Sequence, residues 1–233
     1  MEVCCGNIAS VRAAIEGGAD RVELCRDLEL DGLTPSREMI GEAIGLCHPA
    51  GLLVHVLIRS REGDFVYDDT EVKKMADEIG MAIAEGADGV VVGALTPGGD
   101  IDTAACRKWI DAVRQAVGDQ RRNVTFHRAF DVCDDPLEAI GQIARLGCNR
   151  ILTSGQQATA EQGIPLLRQL VEKAREISAK SGHELGILCG AGVNTHNAST
   201  ILKATGATEI HGSLRTGLVS DAEKIRLVKE AIS

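Results

Sequence analysis

The sequence predicts an α/β fold of eight strand-helix units closed into a barrel, and three observations carry that expectation. The first is a phrase that occurs four times: Gly18-Ala19-Asp20-Arg21-Val22-Glu23, Gly86-Ala87-Asp88-Gly89-Val90-Val91, Gly147-Cys148-Asn149-Arg150-Ile151-Leu152 and Gly206-Ala207-Thr208-Glu209-Ile210-His211. Each copy reads as a glycine ending a helix in the left-handed conformation, a short turn, and an apolar strand. The second is the spacing. The glycines stand 68, 61 and 59 residues apart, about twice the roughly 30 residues of one strand with its crossover helix, so four copies imply eight units. The third is the length, 233 residues without a linker or compositional break, which falls where a one-domain barrel commonly lies. The alternating pattern also admits an open doubly wound sheet, but eight equal units fit closure, which leaves no edge strand to protect. The expected architecture is a single TIM-like (β/α)8 barrel spanning residues 1–233.

The elements follow in chain order. Glu2 to Cys5 is the first strand, and Ile8, Val11 and Ile15 recur at helical spacing behind it. The second strand follows Gly18, and Thr34-Pro35 reads as a cap ahead of a first-turn proline. Leu53 to Ile58 is the third strand, followed by a helix through Val72, Met75, Ile79 and Ile83. The fourth strand follows Gly86, and Val124 to His127 is the fifth. Asp135-Pro136 starts the next helix, with capping-box spacing to Glu138. The sixth strand follows Gly147, Leu185 to Cys189 is the seventh, and the eighth follows Gly206. Ser220 to Glu223 again has capping-box spacing, ahead of Ile225, Val228 and Ile232.

A net charge of -9, a pI near 5.2 and no basic tract argue against a nucleic-acid partner or an anionic membrane surface. No apolar run is long enough to span a bilayer and no leader is recognisable at Met1, so the expected location is the cytoplasm. There the eight cysteines stay reduced. No Cys-x-x-Cys and no His-Glu-x-x-His occurs, which removes support for a structural zinc site or a zinc protease.

Strand side chains alternate faces, so fixing one fixes all. The apolar partners Val3, Val22, Val54, Val56 and Val124 belong against the helices. That sends Glu2, Cys4, Arg21, Glu23, Cys25, His55, Leu57, Arg59, Thr125 and His127 inward. Aligning the repeats adds a layer of Glu23, Val91, Leu152 and His211 above one of Arg21, Gly89, Arg150 and Glu209. Unpaired buried charge is too costly to persist. Glu2, Glu23 and Glu209 are therefore expected to neutralise Arg21 and Arg150, with Glu23 nearest the mouth and equally suited to a site role.

Barrel sites gather at the carboxyl ends of the strands. Cys4 and Cys25 end neighbouring strands facing the same way, and two converging thiolates suit Cu(I), which prefers sulfur. Cys189 is a candidate third, although a buried cysteine also serves as a small hydrophobe. His127-Arg128, with Asp131, and Arg59 with Arg61 suit anion binding or proton transfer, or simply hold loops. Arg59 to Asp69, with Phe65 and Tyr67, is the candidate lid. Gly190-Ala191-Gly192 and Gly212-Ser213 stand where many barrels bind phosphate through backbone amides. All eight lysines fall in predicted helices, which disfavours a Schiff base.

Taken together, Met1-Glu2-Val3-Cys4, Gly18 to Cys25, Gly32 to Ser36, Val54 to Phe65, Gly93 to Thr96, Thr125 to Asp131, Asp135-Pro136, Arg150 to Gly155 and Glu209 to Ser213 resemble the CutC family. The resemblance implies a TIM-like barrel, an association with copper tolerance, and Cu(I) binding by the cysteines matching Cys4 and Cys25. Two departures stand out. Cys189-Gly190-Ala191-Gly192 replaces Pro-Gly-Gly-Gly, and Ser60 replaces the proline of Arg-Pro-Arg.

Two readings result. In the first, favoured chiefly through the family resemblance, Cys4 and Cys25 hold Cu(I), with His127 or Cys189 as an extra ligand. In the second, the barrel is an enzyme acting on a small phosphorylated or carboxylated metabolite. It uses His127 as acid/base, Glu23 as a second carboxylate, Arg59 and Arg128 as anion clamps, and Gly190, Gly192, Gly212 and Ser213 for the anion. A homodimer is expected in either case.

Overall fold

The computed structural model describes residues 1–117 and 122–233. Eight parallel strands, β1 (Glu2–Cys5), β2 (Arg21–Leu24), β3 (Leu53–Leu57), β4 (Gly89–Val92), β5 (Asn123–Phe126), β6 (Arg150–Thr153), β7 (Gly186–Cys189) and β8 (Glu209–Gly212), close in sequence order, β8 pairing with β1. Among the described residues eight α-helices surround them: α1 (Ile8–Glu16), α2 (Arg37–Cys47), α3 (Asp69–Ala84), α4 (Thr103–Val117), α5 (Pro136–Leu146), α6 (Ile164–Ser181), α7 (Ala198–Thr205) and α8 (Ala222–Ile232). A short antiparallel hairpin, β9 (Arg215–Thr216) with β10 (Val219–Ser220), follows β8 at the mouth. No helix among the described residues is long and apolar enough to cross a membrane.

The repeated glycines do what their positions require: Gly18, Gly86, Gly147 and Gly206 all have positive φ, between 75° and 107°, directly before β2, β4, β6 and β8. Two caps differ from expectation. Ser36, whose side chain accepts from the Met39 amide, caps α2, while Thr34 instead donates to Glu78 and accepts from the Arg59 amide. Asp221 caps α8 in place of Ser220, because its carboxylate reaches the Glu223 and Lys224 amides. A carboxylate is the stronger acceptor at a helix start.

Strand alternation divides the apolar residues as expected. Val3, Val22, Val54, Val56, Val90, Val124, Phe126, Ile151, Ile187 and Ile210 pack in the layer between barrel and helices. Each such buried side chain contributes about 1.5–3 kcal/mol. A separate small cluster of Cys4, Cys25, Leu57 and Val91, with Leu28, lies inside the barrel.

Candidate functional site

The strand register decides the floor of the site. Glu2 lies level with Arg21 on β2 and with His211 on β8, and all three point inward. Arg21 Nε donates to Glu2 Oε2 at 2.5 Å and Arg21 Nη2 to Glu209 Oε2 at 2.6 Å, while Arg150 Nε donates to Glu209 at 2.7 and 2.8 Å. The expected ion network therefore exists, with one correction: Glu23 is not part of it. Its Oε1 accepts from the Cys4 thiol at 3.5 Å and its Oε2 is buried without a partner. Burial opposes the charge on Glu2, yet the Arg21 guanidinium and the His211 hydrogen bond hold it well below the usual carboxylate range. Burial, with the nearby Glu2 carboxylate, pushes Glu23 the other way.

His211 completes the floor. Its Nδ1 lies 2.7 Å from Glu2 Oε1. Burial disfavours its charge, but Glu23, Cys4 and Glu2 together raise it well above the ordinary histidine value. Cys4, Glu23 and His211 present donor atoms within 4.8 Å of one another. The repeat alignment places His211 inside the barrel but assigns it no role. Its position against Glu2 depends on the stagger between β8 and β1, which no local pattern encodes.

Cys4 and Cys25 converge as expected, their sulfurs 3.9 Å apart. The hydrogen bond with Cys25, followed by burial, raises the Cys4 thiol well above its usual range. Cys189 does not join them. It packs in the outer layer, and burial, only partly offset by Thr205, pushes it up to about 12. The reason is parity: Leu188 and Gly190 take the inward positions on that strand, so Cys189 takes the outward one.

The rest of the wall is built by the segments after β3, the neighbour of β2, and after β5. His127 Nδ1 accepts from the Ala129 amide at 3.1 Å, which assigns the proton of the neutral ring to Nε2. Burial, with the Arg59 charge beside it, lowers His127 to about 3. The ring packs 5.0 Å from Phe65, whose other neighbour is the Arg59 guanidinium at 5.2 Å. Gly93 leaves room for it, since a Cβ there would stand 2.7 Å from the imidazole.

Arg59 is buried and bound to the chain. Nη1 donates to the Leu30 and Gly32 carbonyls and Nη2 to Gly63, so the two terminal nitrogens hold loops instead of clamping an anion. Arg128 is 45% exposed and donates to Asp131 at 2.7 Å. Asp131 in turn accepts from Thr153 and the Ser154 amide, tying the rim after β5 to that after β6.

These groups enclose a cavity of about 480 Å3 at the carboxyl ends of the strands, lined among others by Cys4, Glu23, Arg59, Phe65, His127 and His211. Arg128, Gly192, Gly212, Ser213 and Arg215 line its rim. Gly190 does not reach that rim. It sits deeper, where a Cβ would meet Leu152 at 2.6 Å and His211 at 3.4 Å. Ala191, at φ 81°, holds a backbone conformation that favours glycine.

The fold and site define a class: a (β/α)8 barrel with a cavity of mixed polar and apolar lining at the strand ends, where barrels carry their chemistry. The CutC family model matches residues 1–216, and the chain belongs to the CutC family. A CutC family protein of Bacteroides thetaiotaomicron is 48% identical over 95% of this chain and 83% of its own length. One from Pasteurella multocida is 44% identical over 91% of this chain and 80% of its own. The crystal structure of the CutC protein of Streptococcus agalactiae, named for copper homeostasis, superposes with a TM-score of 0.82 at 34% identity, covering 91% of this chain and 97% of that one. A thiamine phosphate pyrophosphorylase of Pyrococcus furiosus, at 18% identity and a TM-score of 0.63, shares the fold.

Proposed function

We propose that the protein is an enzyme acting on a small metabolite that carries a phosphate or carboxylate. One observation carries this reading. Three buried polar atoms without partners belong to residues on the wall of a single cavity: the acceptor Glu23 Oε2 and the donors His127 Nε2 and Arg59 Nε. Buried polar groups are almost always paired, and a ligand with oxygens and an acidic hydrogen is the complement of this set. The cavity volume suits a small molecule. Arg128, Arg215 and the backbone at Gly192, Gly212 and Ser213 are the candidates for its anionic end. Cytoplasmic work fits eight free, buried thiols. Native mass spectrometry of freshly purified protein tests the reading: a bound anionic metabolite, lost from a His127→Ala variant, is the expected result.

The sulfur pair supports a second reading, Cu(I) binding. Thiols 3.9 Å apart and buried fit an ion that prefers sulfur and accepts few ligands, with Cys4 and Cys25 as ligands and the His211 imidazole as a third donor. Anaerobic Cu(I) titration tests it, with stoichiometric binding lost in the Cys4→Ser, Cys25→Ser double variant.

A further inference from the structure

We propose that the barrel holds one ordered water molecule below its mouth, between His55 Nε2 and Thr125 Oγ1 and above Gly89, as a fixed part of the fold. The site is independent of both functional readings.

The strand register places the two side chains at one height. Pairing runs from His55 across Gly89 to Asn123, and from Thr125 across Arg150 to Gly186. In a barrel of shear 8 each second strand is lifted by about two residues, which brings Glu2, His55, Thr125 and Leu188 into one inward layer. Beneath it lies a layer of Arg21, Gly89, Arg150 and Glu209. His55 therefore stands between Glu2 on one side and Thr125 on the other. Its Nδ1 is 3.8 Å from Glu2 Oε2. Its Nε2 leans over Gly89, where a Cβ would stand 2.8 Å from it.

His55 and Thr125 are fully buried, and neither His55 Nε2 nor Thr125 Oγ1 has a hydrogen-bond partner among the described residues. The same holds for Arg150 Nη1, on the strand that pairs with β5 at Thr125. Buried polar atoms of this kind are almost always bonded to protein or to ordered water. Barrel layers are normally filled by bulky branched side chains. Thr125 and Gly89 are the smallest residues of these two layers and sit on neighbouring strands, so packing is thinnest beside Nε2.

The chemistry of the set selects the ligand. The Glu2 carboxylate beside Nδ1 favours the proton of the neutral ring there, so Nε2 is an acceptor. Arg150 Nη1 can only donate, and the Thr125 hydroxyl can do either. A ligand at this point must both donate and accept. A halide cannot donate and a metal cation cannot accept, whereas a buried water typically makes about three such bonds. Bound there, it fixes the His55 ring against Glu2, the carboxylate that orders Arg21 and His211 in the cavity floor.

The test combines a crystal structure of the full chain, at a resolution that shows ordered water, with thermal unfolding of Thr125→Val, which keeps the side-chain shape and removes the hydroxyl. One density peak is expected within about 2.7–3.2 Å of both His55 Nε2 and Thr125 Oγ1. The melting midpoint of Thr125→Val is expected to fall by about 2–4 °C. Absence of a peak between these atoms overturns the proposal. So does a midpoint that is unchanged or raised, the result for a hydroxyl without any partner, because a methyl group then replaces an orphaned polar one. Anomalous signal at the site in crystals grown with bromide identifies a halide and overturns it as well.

Discussion

His211 Nδ1 and Glu2 Oε1 lie 2.7 Å apart, joining the last strand of the barrel to the first across 209 residues. The same Glu2 carboxylate accepts from Arg21, so one side chain closes the barrel electrostatically at its seam. Removing its charge takes from His211 its hydrogen-bonded carboxylate and leaves Arg21 with Glu209 alone. Glu2→Gln is expected to destabilise the fold by about 3–5 kcal/mol, measured by urea unfolding at pH 7.

Stability should peak near pH 6.5, the reference value for histidine, with the two sides set by different residues. His211 is raised in the folded state, so its contribution is complete below pH 6.5 and is lost as pH climbs through the folded value. His127, lowered to about 3, and His55, lowered to about 4 mainly by burial, act oppositely. Both stay neutral when folded but take up protons when unfolded, so stability falls as pH drops below 6.5. Denaturant midpoints from pH 4 to 9 check this, and His127→Gln should flatten the acid limb only.

Phe65 keeps water from the His127 ring at a centroid distance of 5.0 Å. Phe65→Ala is expected to raise the His127 pKa toward 6.5, since burial is the main cause of its depression. An NMR titration of the imidazole resonances reads this directly. An unchanged titration would mean that Arg59, and not burial, sets the value.

Thiol accessibility separates the cysteines. Cys4 lines the cavity, whereas Cys189 lies in the outer core. A small alkylating reagent on the native protein should modify Cys4 well before Cys189, as followed by peptide mass mapping. Cys189→Ser should leave Cu(I) binding unchanged.

The loop after β7 carries a correctable strain. Ala191 at φ 81° sits where glycine is at ease, and Ala191→Gly should stabilise by about 1 kcal/mol. Gly190→Ala should do the reverse, by about 1–3 kcal/mol, because its Cβ would overlap Leu152. Thermal denaturation distinguishes the two signs.

Much of this was legible along the chain. The repeated Gly18, Gly86, Gly147 and Gly206 announced the strands because a left-handed helix end is a local requirement of the backbone. Parity then sorted Cys4, Cys25, Glu23 and His127 inward, since side-chain direction in a strand depends only on its neighbours. Parity applied to the seventh strand also sends Cys189 outward, into the layer against the helices and away from the other two thiols. Arg59 was legible as an inward residue but not as a bound one. The carbonyls of Leu30, Gly32 and Gly63 that occupy its terminal nitrogens come from loops whose paths follow no periodicity.

The chain by itself therefore determined which residues form strands, which face each shows, and that the sulfurs, the carboxylate and the imidazole share one interior. Tertiary structure decided the pairing within that interior. The stagger at the β8–β1 seam sets Glu2 level with both Arg21 and His211, and so releases Glu23 to the cavity. Stagger is a property of the closed ring, fixed by how all eight strands tilt together, and a pattern that repeats every two residues carries no record of it.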